Sequence, residues 1–314
     1  MRQIVNQALG VKIGAPATFK NMTVFPLMGS QANAADYLTL DEALAQKLAA
    51  ITEVSEGGSV PELKFVNSGT RKVFLLDGEE LVGAKQNRVL NLSIMVPVGK
   101  TLVVPVSCVE RGRWHHRSRE FASSPRAHYA EGRARKMAQV SESMKASGRR
   151  TSDQGEIWND INDKFSRFGS SSPTAAMSDI YEQQSVSLED YVHSFAPAEI
   201  QVGAVFAIEG KVVGLELFDS PETLRKLFPK LLRSYGLDAL DRARSDSAAT
   251  RAYPVPTKAK AAAFLRRVTN AKDEEFPALG EGQDLRLTGP GLTGAALAVD
   301  GRVVHLSAFS LSRE

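Results

Sequence analysis

The stretch FLLDGEELVGAKQNRVLNLSIMVPVG, residues 74–99, decides how the chain is read. Its ends are apolar and suited to strands, while its middle carries Asp77, Glu79, Glu80, Lys85, Gln86, Asn87, Arg88 and Asn91. Asp77-Gly78 between apolar runs predicts a two-residue hairpin, because both central residues of that turn take positive φ. With ELKFVNSGTRKVFLL before it and TLVVPVSCVE after it, the region reads as an antiparallel meander. In that register Glu80 stands opposite Leu75, on the face shared by Val73 and Val82. Over 86–96, strand alternation puts Asn87, Asn91 and Ser93 on one face and Arg88, Leu90, Leu92 and Ile94 on the other. Amides and a hydroxyl on one face suit ribose hydroxyls or the edge of a base. The plainer alternative is a solvated hairpin edge in which Glu80 is half of an ion pair.

Outward from this stretch, other strand signals recur. KNMTVFPLM, residues 20–28, reads as an edge strand because of its internal Pro26. Thr39 and Glu42 have the spacing of a helix capping box. AVFAIEGKVVGLEL and AALAVDGRVVHLSA repeat the pattern of KVFLLDGEELVGAK: an apolar strand, an acid-Gly turn and a second apolar strand. Recurrence of common hairpin chemistry accounts for that without an internal repeat.

The middle third changes period. One helix is expected from Ser124-Pro125 to Gly148, with Ala127, Ala130, Ala134, Met137 and Met144 as its apolar stripe. A second opens at Asp153 with Glu156 and stops at Gly169, and a third opens at Ser172-Pro173. SPETLRKLFPKLLRSYG reads as a helix from Ser220-Pro221 to Gly236, kinked at Pro229, and TKAKAAAFLRRVTN as another. Hairpins flanking helices make an α+β protein, read as one unit over 1–314 with a helical subregion at 115–200.

Composition sets the class. The chain has 314 residues, 43% hydrophobic and 24% charged, which is ordinary for a globular protein with a substantial core. Cys108 is the only cysteine, so no internal disulfide exists, which suits a reducing compartment. The start has no secretory pattern and no window has the length of a membrane span, so the expectation is a cytoplasmic protein with no membrane partner. The net charge of +3 hides an asymmetry: residues 111–150 hold eleven Lys or Arg against Glu120, Glu131 and Glu142. A local positive field attracts anions, whether nucleotides, nucleic acid or an acidic protein surface.

CVERGRW supplies Glu110, Arg111, Arg113 and Trp114: two guanidinium forks suited to phosphate, and a ring suited to stacking. Cys108 reads as a buried thiol. GPGLTG, residues 289–294, has dinucleotide-loop spacing, but a strand follows where a helix should. His115 and His116 are adjacent and point apart, and no spacing elsewhere suits a metal site.

These same words carry a resemblance. FLLDGEELVGAKQNRVLN with VPVSCVERGRW, QGEIWNDI, SSPTAAMSDIYE and GAVFAIEGKVVGLELFDSPETLRKLFPKLLRSYGLDAL resemble a bacterial family over nearly the whole chain. It is the ADP-ribosylglycohydrolase-and-rhodanese-phosphatase-associated protein domain family. By association the resemblance implies work on ADP-ribose or other NAD-derived nucleotides. The positions it marks are Glu79, Glu80, Lys85, Gln86, Asn87, Arg88, Asn91, Glu110, Arg111, Arg113 and Trp114. It names no cofactor.

Charge and resemblance give one expectation: an anionic, ribose-bearing nucleotide is bound and, if the protein is an enzyme, hydrolysed. Lys85, Arg111 and Arg113 would hold phosphate, Asn87 and Asn91 would read hydroxyls, and Trp114 would stack. Gln86 and Arg88 would complete the binding set, and Glu80 or Glu110 would act as acid or base. Two other classes compete. One is a nucleic-acid-binding module using residues 111–150, which would bind with steep salt dependence. The other is a scaffold for a protein partner with no ligand of its own.

Overall fold

Glu209 and Asp300 both take positive φ, 53° and 50°, and the glycine after each follows at 76° and 75°. This is the turn a right-twisted hairpin favours, and each joins two long antiparallel strands in the computed structural model of the chain. The structure describes residues 2–29, 34–55, 57, 61–245 and 253–311.

In chain order the elements begin with α1 (Arg2–Ala8), β1 (Lys12–Ile13), β2 (Ala17–Phe19), β3 (Met22–Met28), β4 (Tyr37–Thr39), α2 (Leu40–Ala45), β5 (Ala49–Glu53) and β6 (Glu62–Asn67). Next come β7 (Lys72–Leu75), β8 (Glu79–Gly83), β9 (Arg88–Leu90), β10 (Ile94–Val96), β11 (Thr101–Cys108) and β12 (Phe121–Ala127). Four helices follow: α3 (Ala130–Ser147), α4 (Gln154–Phe168), α5 (Met177–Gln183) and α6 (Ser185–His193). The last are β13 (Gln201–Ile208), β14 (Lys211–Phe218), α7 (Pro221–Ser245), α8 (Lys258–Thr269), β15 (Lys272–Pro277), β16 (Gln283–Gly289), β17 (Leu292–Val299) and β18 (Arg302–Ser310). The fold is α+β, 33% helix and 36% strand.

A nine-stranded antiparallel sheet runs β1-β3-β13-β14-β18-β17-β16-β15, with β2 also on β3. Its strands alternate apolar residues to both faces, so both must be covered. On one face α1 and α8 lay Val5, Phe264 and Val268 against Phe25, Val205, Leu215 and Leu306. On the other, α3 and α7 pack Met137, Leu227, Phe228 and Leu231 against Phe206, Phe218 and Phe309. Tyr235 of α7 stacks on Phe206, ring centroids 3.8 Å apart. Gly214 makes the room, since a Cβ there would sit 2.3 Å from the Tyr235 hydroxyl.

Residues 37–127 build two smaller sheets, β10-β7-β4 and β12-β8-β9-β11-β6-β5. They enclose a shared core that includes Phe65, Leu75, Leu81, Leu90, Ile94 and Val106. The six-stranded sheet curls until its outer strands β5 and β12 meet. α4, α5 and α6 cover its flank, packing Ile161, Ile180 and Leu188 around Val89 and Val109.

Several expectations are corrected by long-range pairing. Asp77-Gly78 is not a hairpin: β7 pairs with β10 and β4, whereas β8 pairs with β9 and β12. Leu75 therefore stands opposite Ile94, and Glu80 opposite Val89. Of the two turn residues only Gly78 has positive φ, 81°. The turn passes the chain from one sheet to the other. The Glu79 carboxylate holds it by accepting the Leu76 N–H at 2.9 Å, and Gly78 N–H donates to the Leu90 carbonyl at 2.9 Å. The 86–96 run is likewise split, β9 going to one small sheet and β10 to the other. The meander and the shared face of Asn87, Asn91 and Ser93 both fall with it.

Pro26 does not mark an edge. β3 lies between β13 and the short strands β1 and β2, with Pro26 at the break between those two. Ser124 and Pro125 lie in β12, where a register shift between Ser123 and Ala127 absorbs the proline. Helix α3 consequently starts at Ala130. Ser172-Pro173 is a turn in which the Ser172 hydroxyl accepts the Ala176 N–H at 3.0 Å, and α5 starts at Met177. α7 runs through Gly236 to Ser245, because Gly236 faces Leu188 and Tyr191 of α6. Packing there outweighs the weak helix propensity of glycine.

Candidate functional site

Three strands carry apolar core residues followed, two positions on, by a polar one. Ile51 leads to Glu53 on β5, Leu90 back to Arg88 on β9, and Val106 to Cys108 on β11. Since i and i+2 share a face, the apolar interior of the curled sheet ends in a polar mouth. Glu53, Arg88 and Cys108 are all buried there, and Arg88 and Cys108 are direct cross-strand partners.

Gln86 joins them. Its Oε1 accepts from Arg88 Nη1 at 2.9 Å and from Cys108 Sγ at 3.0 Å. Arg88 is 0% exposed, yet its Nε and Nη2 have no hydrogen-bond partner among the described residues. Glu53 Oε2 is unpartnered in the same sense, while Oε1 accepts the Lys85 N–H at 3.4 Å. Burial pulls the Arg88 pKa below its usual value, against Cys108, Glu53 and Glu110, but a guanidinium remains a cation at neutral pH. Burial pushes the Cys108 thiol up, against the opposing pull of Arg88. Cys108 is therefore held as a thiol, a poor nucleophile.

A roof lies over this mouth. Trp114 is 47% exposed. Lys85 Nζ is 5.4 Å from its ring centroid and the Arg88 guanidinium 5.7 Å. Lys85 also donates to the Gly57 carbonyl at 2.7 Å. Arg111 is exposed and lies over Trp158, 5.4 Å from its centroid.

The loop bearing Trp114 is held by Glu110 and Arg113. Arg113 Nε donates to Glu110 Oε1 at 2.9 Å and Nη2 to Oε2 at 2.6 Å. Arg113 also donates to the carbonyls of Ala84, His115 and Gly83 and to Asn87 Oδ1. Glu110 accepts from Asn87 N–H at 3.0 Å and from the Thr174 hydroxyl at 3.0 Å. Burial alone would raise the Glu110 pKa, but Arg113, Asn87 and Thr174 hold it below the usual carboxylate range. Glu110 and Arg113 thus spend their hydrogen bonds on each other and on the loop.

Gln86, Asn87, Arg88, Glu110, Arg113, Trp114 and Lys85 are brought together, with Arg111 on the rim. Glu80 and Asn91 are elsewhere. Glu80 pairs with Val89, so it points away from Arg88, and its Oε2 accepts from Arg126 Nε and the Ser124 hydroxyl, both at 2.8 Å. Asn91 donates to the Arg150 carbonyl at 3.0 Å and accepts the Ser107 hydroxyl at 2.6 Å. Glu79 accepts from Lys230 at 2.7 Å. Sequence reasoning missed Glu53. Its signal was the alternation Ala49, Ile51, Glu53, visible only once β5 is known to end at the mouth.

The basic segment is also divided. Arg113, Arg133 and Lys136 are buried and paired with acids, while Arg111, Arg117 and Arg119 are exposed on the loop. Among the described residues no helix is long and apolar enough to cross a membrane.

Comparison with known proteins gives one result. A family model described as the ARG and Rhodanese-Phosphatase-superfamily-associated Protein domain matches residues 10–309. Neither the curated proteins nor the solved structures give a significant match.

Proposed function

The chain belongs to the ARG and Rhodanese-Phosphatase-superfamily-associated Protein domain family, and on that premise we propose that it binds a phosphorylated, ribose-bearing ligand at the mouth of the curled sheet. ADP-ribose or another NAD-derived nucleotide is the ligand class that the family's association supports. The observation that carries the reading is Arg88: a fully buried guanidinium with two unspent donors beneath a half-exposed tryptophan. Burying two such donors unpaired costs free energy that a ligand phosphate would recover through a charge-assisted fork. Trp114 offers a ring face for a base, and Glu53 Oε2 an acceptor for a ribose hydroxyl. Lys85 and Arg111 add positive charge.

If the ligand is also hydrolysed, Glu53 is the better-placed acid or base. Glu110 has committed both oxygens, and Glu80 points to the other side of its sheet. The test is calorimetric titration with ADP-ribose, NAD and AMP at high micromolar concentrations. Saturation at one ligand per chain is expected, weakened at least tenfold in Arg88→Gln and in Trp114→Ala. No heat with any of the three nucleotides refutes the reading. The exposed Arg111, Arg117 and Arg119 favour nucleic acid as a second reading, and binding that collapses steeply with added salt would identify it.

A further inference from the structure

The face of the large sheet beneath α3 carries a polar row. Arg286 of β16 pairs with Ala295 of β17, Ala295 with Ser307 of β18, and Ser307 with Glu216 of β14. Two residues along each strand, on the same face, Asp284 pairs with Leu297 and Leu297 with His305. Longer side chains thus stand around Ala295, whose methyl does not reach their height. Above them lie Asp77, in the turn between β7 and β8, and Ser93, in the link between β9 and β10. With Met137 of α3 these residues line a small cavity. The space there open to the centre of a water-sized sphere is about 10 Å³, room for about one water.

Not every polar atom around this cavity is spent. Arg286 donates Nη2 to Asp284 at 2.6 Å, but its Nε and Nη1 have no partner among the described residues. Asp77 Oδ1 accepts from Lys136, while Oδ2 has no hydrogen-bond partner in the same sense and lies 3.7 Å from Arg133 Nε. The Ser307 hydroxyl is likewise unpartnered. Arg286 and Ser307 are 1% exposed and Asp77 2%, so leaving these groups unpaired is costly. Ser93 and His305 differ. Ser93 Oγ lies 2.9 Å from His305 Nδ1 and accepts the Asp77 N–H at 3.0 Å, and His305 Nε2 lies 3.0 Å from Glu216 Oε2.

Charge and size together decide the guest. The carboxylates of Asp77, Asp284 and Glu216 are matched by the cations of Arg133, Lys136 and Arg286. An added ion of either sign would be a buried charge without a counter-charge. An apolar guest would leave the unspent groups unpaired. Water is neutral, both donates and accepts, and is the size of the space. We propose that one ordered water is a built part of this seam, held over Ala295. It accepts from Arg286, donates to Asp77 Oδ2 and pairs with the Ser307 hydroxyl, which can donate or accept. About three partners is the usual complement of a buried water. The water ties the turn between β7 and β8 to the large sheet, beside the direct contact of Ser93 with His305. The site is independent of the mouth of the curled sheet.

The test is crystallography of the intact chain at a resolution that shows ordered water, with crystals grown without halide and again in sodium bromide. A density peak is expected within hydrogen-bonding distance, about 2.7–3.2 Å, of an Arg286 nitrogen and of Asp77 Oδ2, with no anomalous signal in bromide. Ala295→Val should push the water out. The peak then disappears, and the urea midpoint falls because Arg286, Asp77 and Ser307 are left unpaired. No peak over Ala295 in the wild type, a peak that scatters anomalously as bromide, or a peak unmoved in Ala295→Val overturns the proposal. The wild-type maps decide even if the variant fails to fold.

Discussion

Arg88 and Arg113 lie within one cluster, yet their chemistry diverges because of what their donors have left. Arg113 is a structural clamp for the loop that carries Trp114, whereas Arg88 keeps two donors inside the mouth. The sequence could name both, because cations, amides and an aromatic concentrated beside apolar strands are visible without coordinates. It could not assign their roles, because the groups that settle them are remote in the chain: the Ala84 and Gly83 carbonyls that Arg113 meets are 29 and 30 residues away, and Thr174, which helps hold its partner Glu110, is 64 from that glutamate. Glu80 and Asn91 were misplaced for the related reason that cross-strand pairing decides which way a side chain faces. His128 shows a cost that a single residue can carry. It is 1% exposed, and neither ring nitrogen has a partner among the described residues. Burial holds its pKa well below the ordinary value, helped by Lys136, Arg133 and Lys164. The folded state thus refuses a proton that the unfolded chain accepts below a pH of about 6.5. Stability should fall by about 1.4 kcal/mol per pH unit from there toward the depressed pKa, with no contribution above a pH of about 6.5. Urea unfolding at pH 7.5, 6.5 and 5.5 checks this. The loss should flatten in His128→Gln, and an equally steep loss in that variant would clear His128 of the effect.

At the level of elements, the two acid-Gly turns that join long paired strands form as their sequences predict, and the third does not. The local words are alike, so the difference lies in the partners: β7 and β8 each find better ladders with other strands. The same rule explains why some helix starts were legible and others were not. α4 begins and ends where Asp153 and Gly169 indicate, with Asp153 accepting the Glu156 N–H at 3.0 Å. Ser124-Pro125 and Ser172-Pro173 carry similar start signals, but sheet pairing and a local turn claim them. Glu209 itself is an awkward occupant of its turn. A non-glycine residue at φ 53° is strained, by roughly 1–2 kcal/mol, and its Oε1 is buried without a partner among the described residues. Asparagine tolerates this backbone far better. Glu209→Asn should therefore stabilise the protein by about 0.5–1 kcal/mol, read as a higher urea midpoint at unchanged slope. An unchanged or lower midpoint would mean that the glutamate gains more from its surroundings than the turn costs it.

At the scale of the molecule, the small sheets and the large sheet are joined by buried ion pairs as well as by apolar contact. α3 reaches across with Arg133 on Glu216 and Lys136 on Asp77. α7 reaches the small sheets with Lys230, whose Nζ lies 2.7 Å from Glu79 and 2.8 Å from Asp41. Such pairs are weak evidence for net stability, but removing one partner strands a buried charge at about 3–5 kcal/mol. Lys230→Met should lose that much at pH 7. The loss should be partly regained on acidification, and the sign follows from Glu79. Burial already raises its pKa despite Lys230, and removing the lysine raises it further. The folded variant then takes up a proton at a pH where the unfolded chain does not, so its stability rises as pH falls toward the ordinary carboxylate value. Lys230→Met with Glu79→Gln removes the stranded charge and should lose less at pH 7, with no such pH-dependent recovery. Urea midpoints of the wild type and both variants at pH 7 and pH 5 measure this directly. If Lys230→Met falls short of the wild type by the same amount at both pH values, Glu79 is not the charge that Lys230 neutralises.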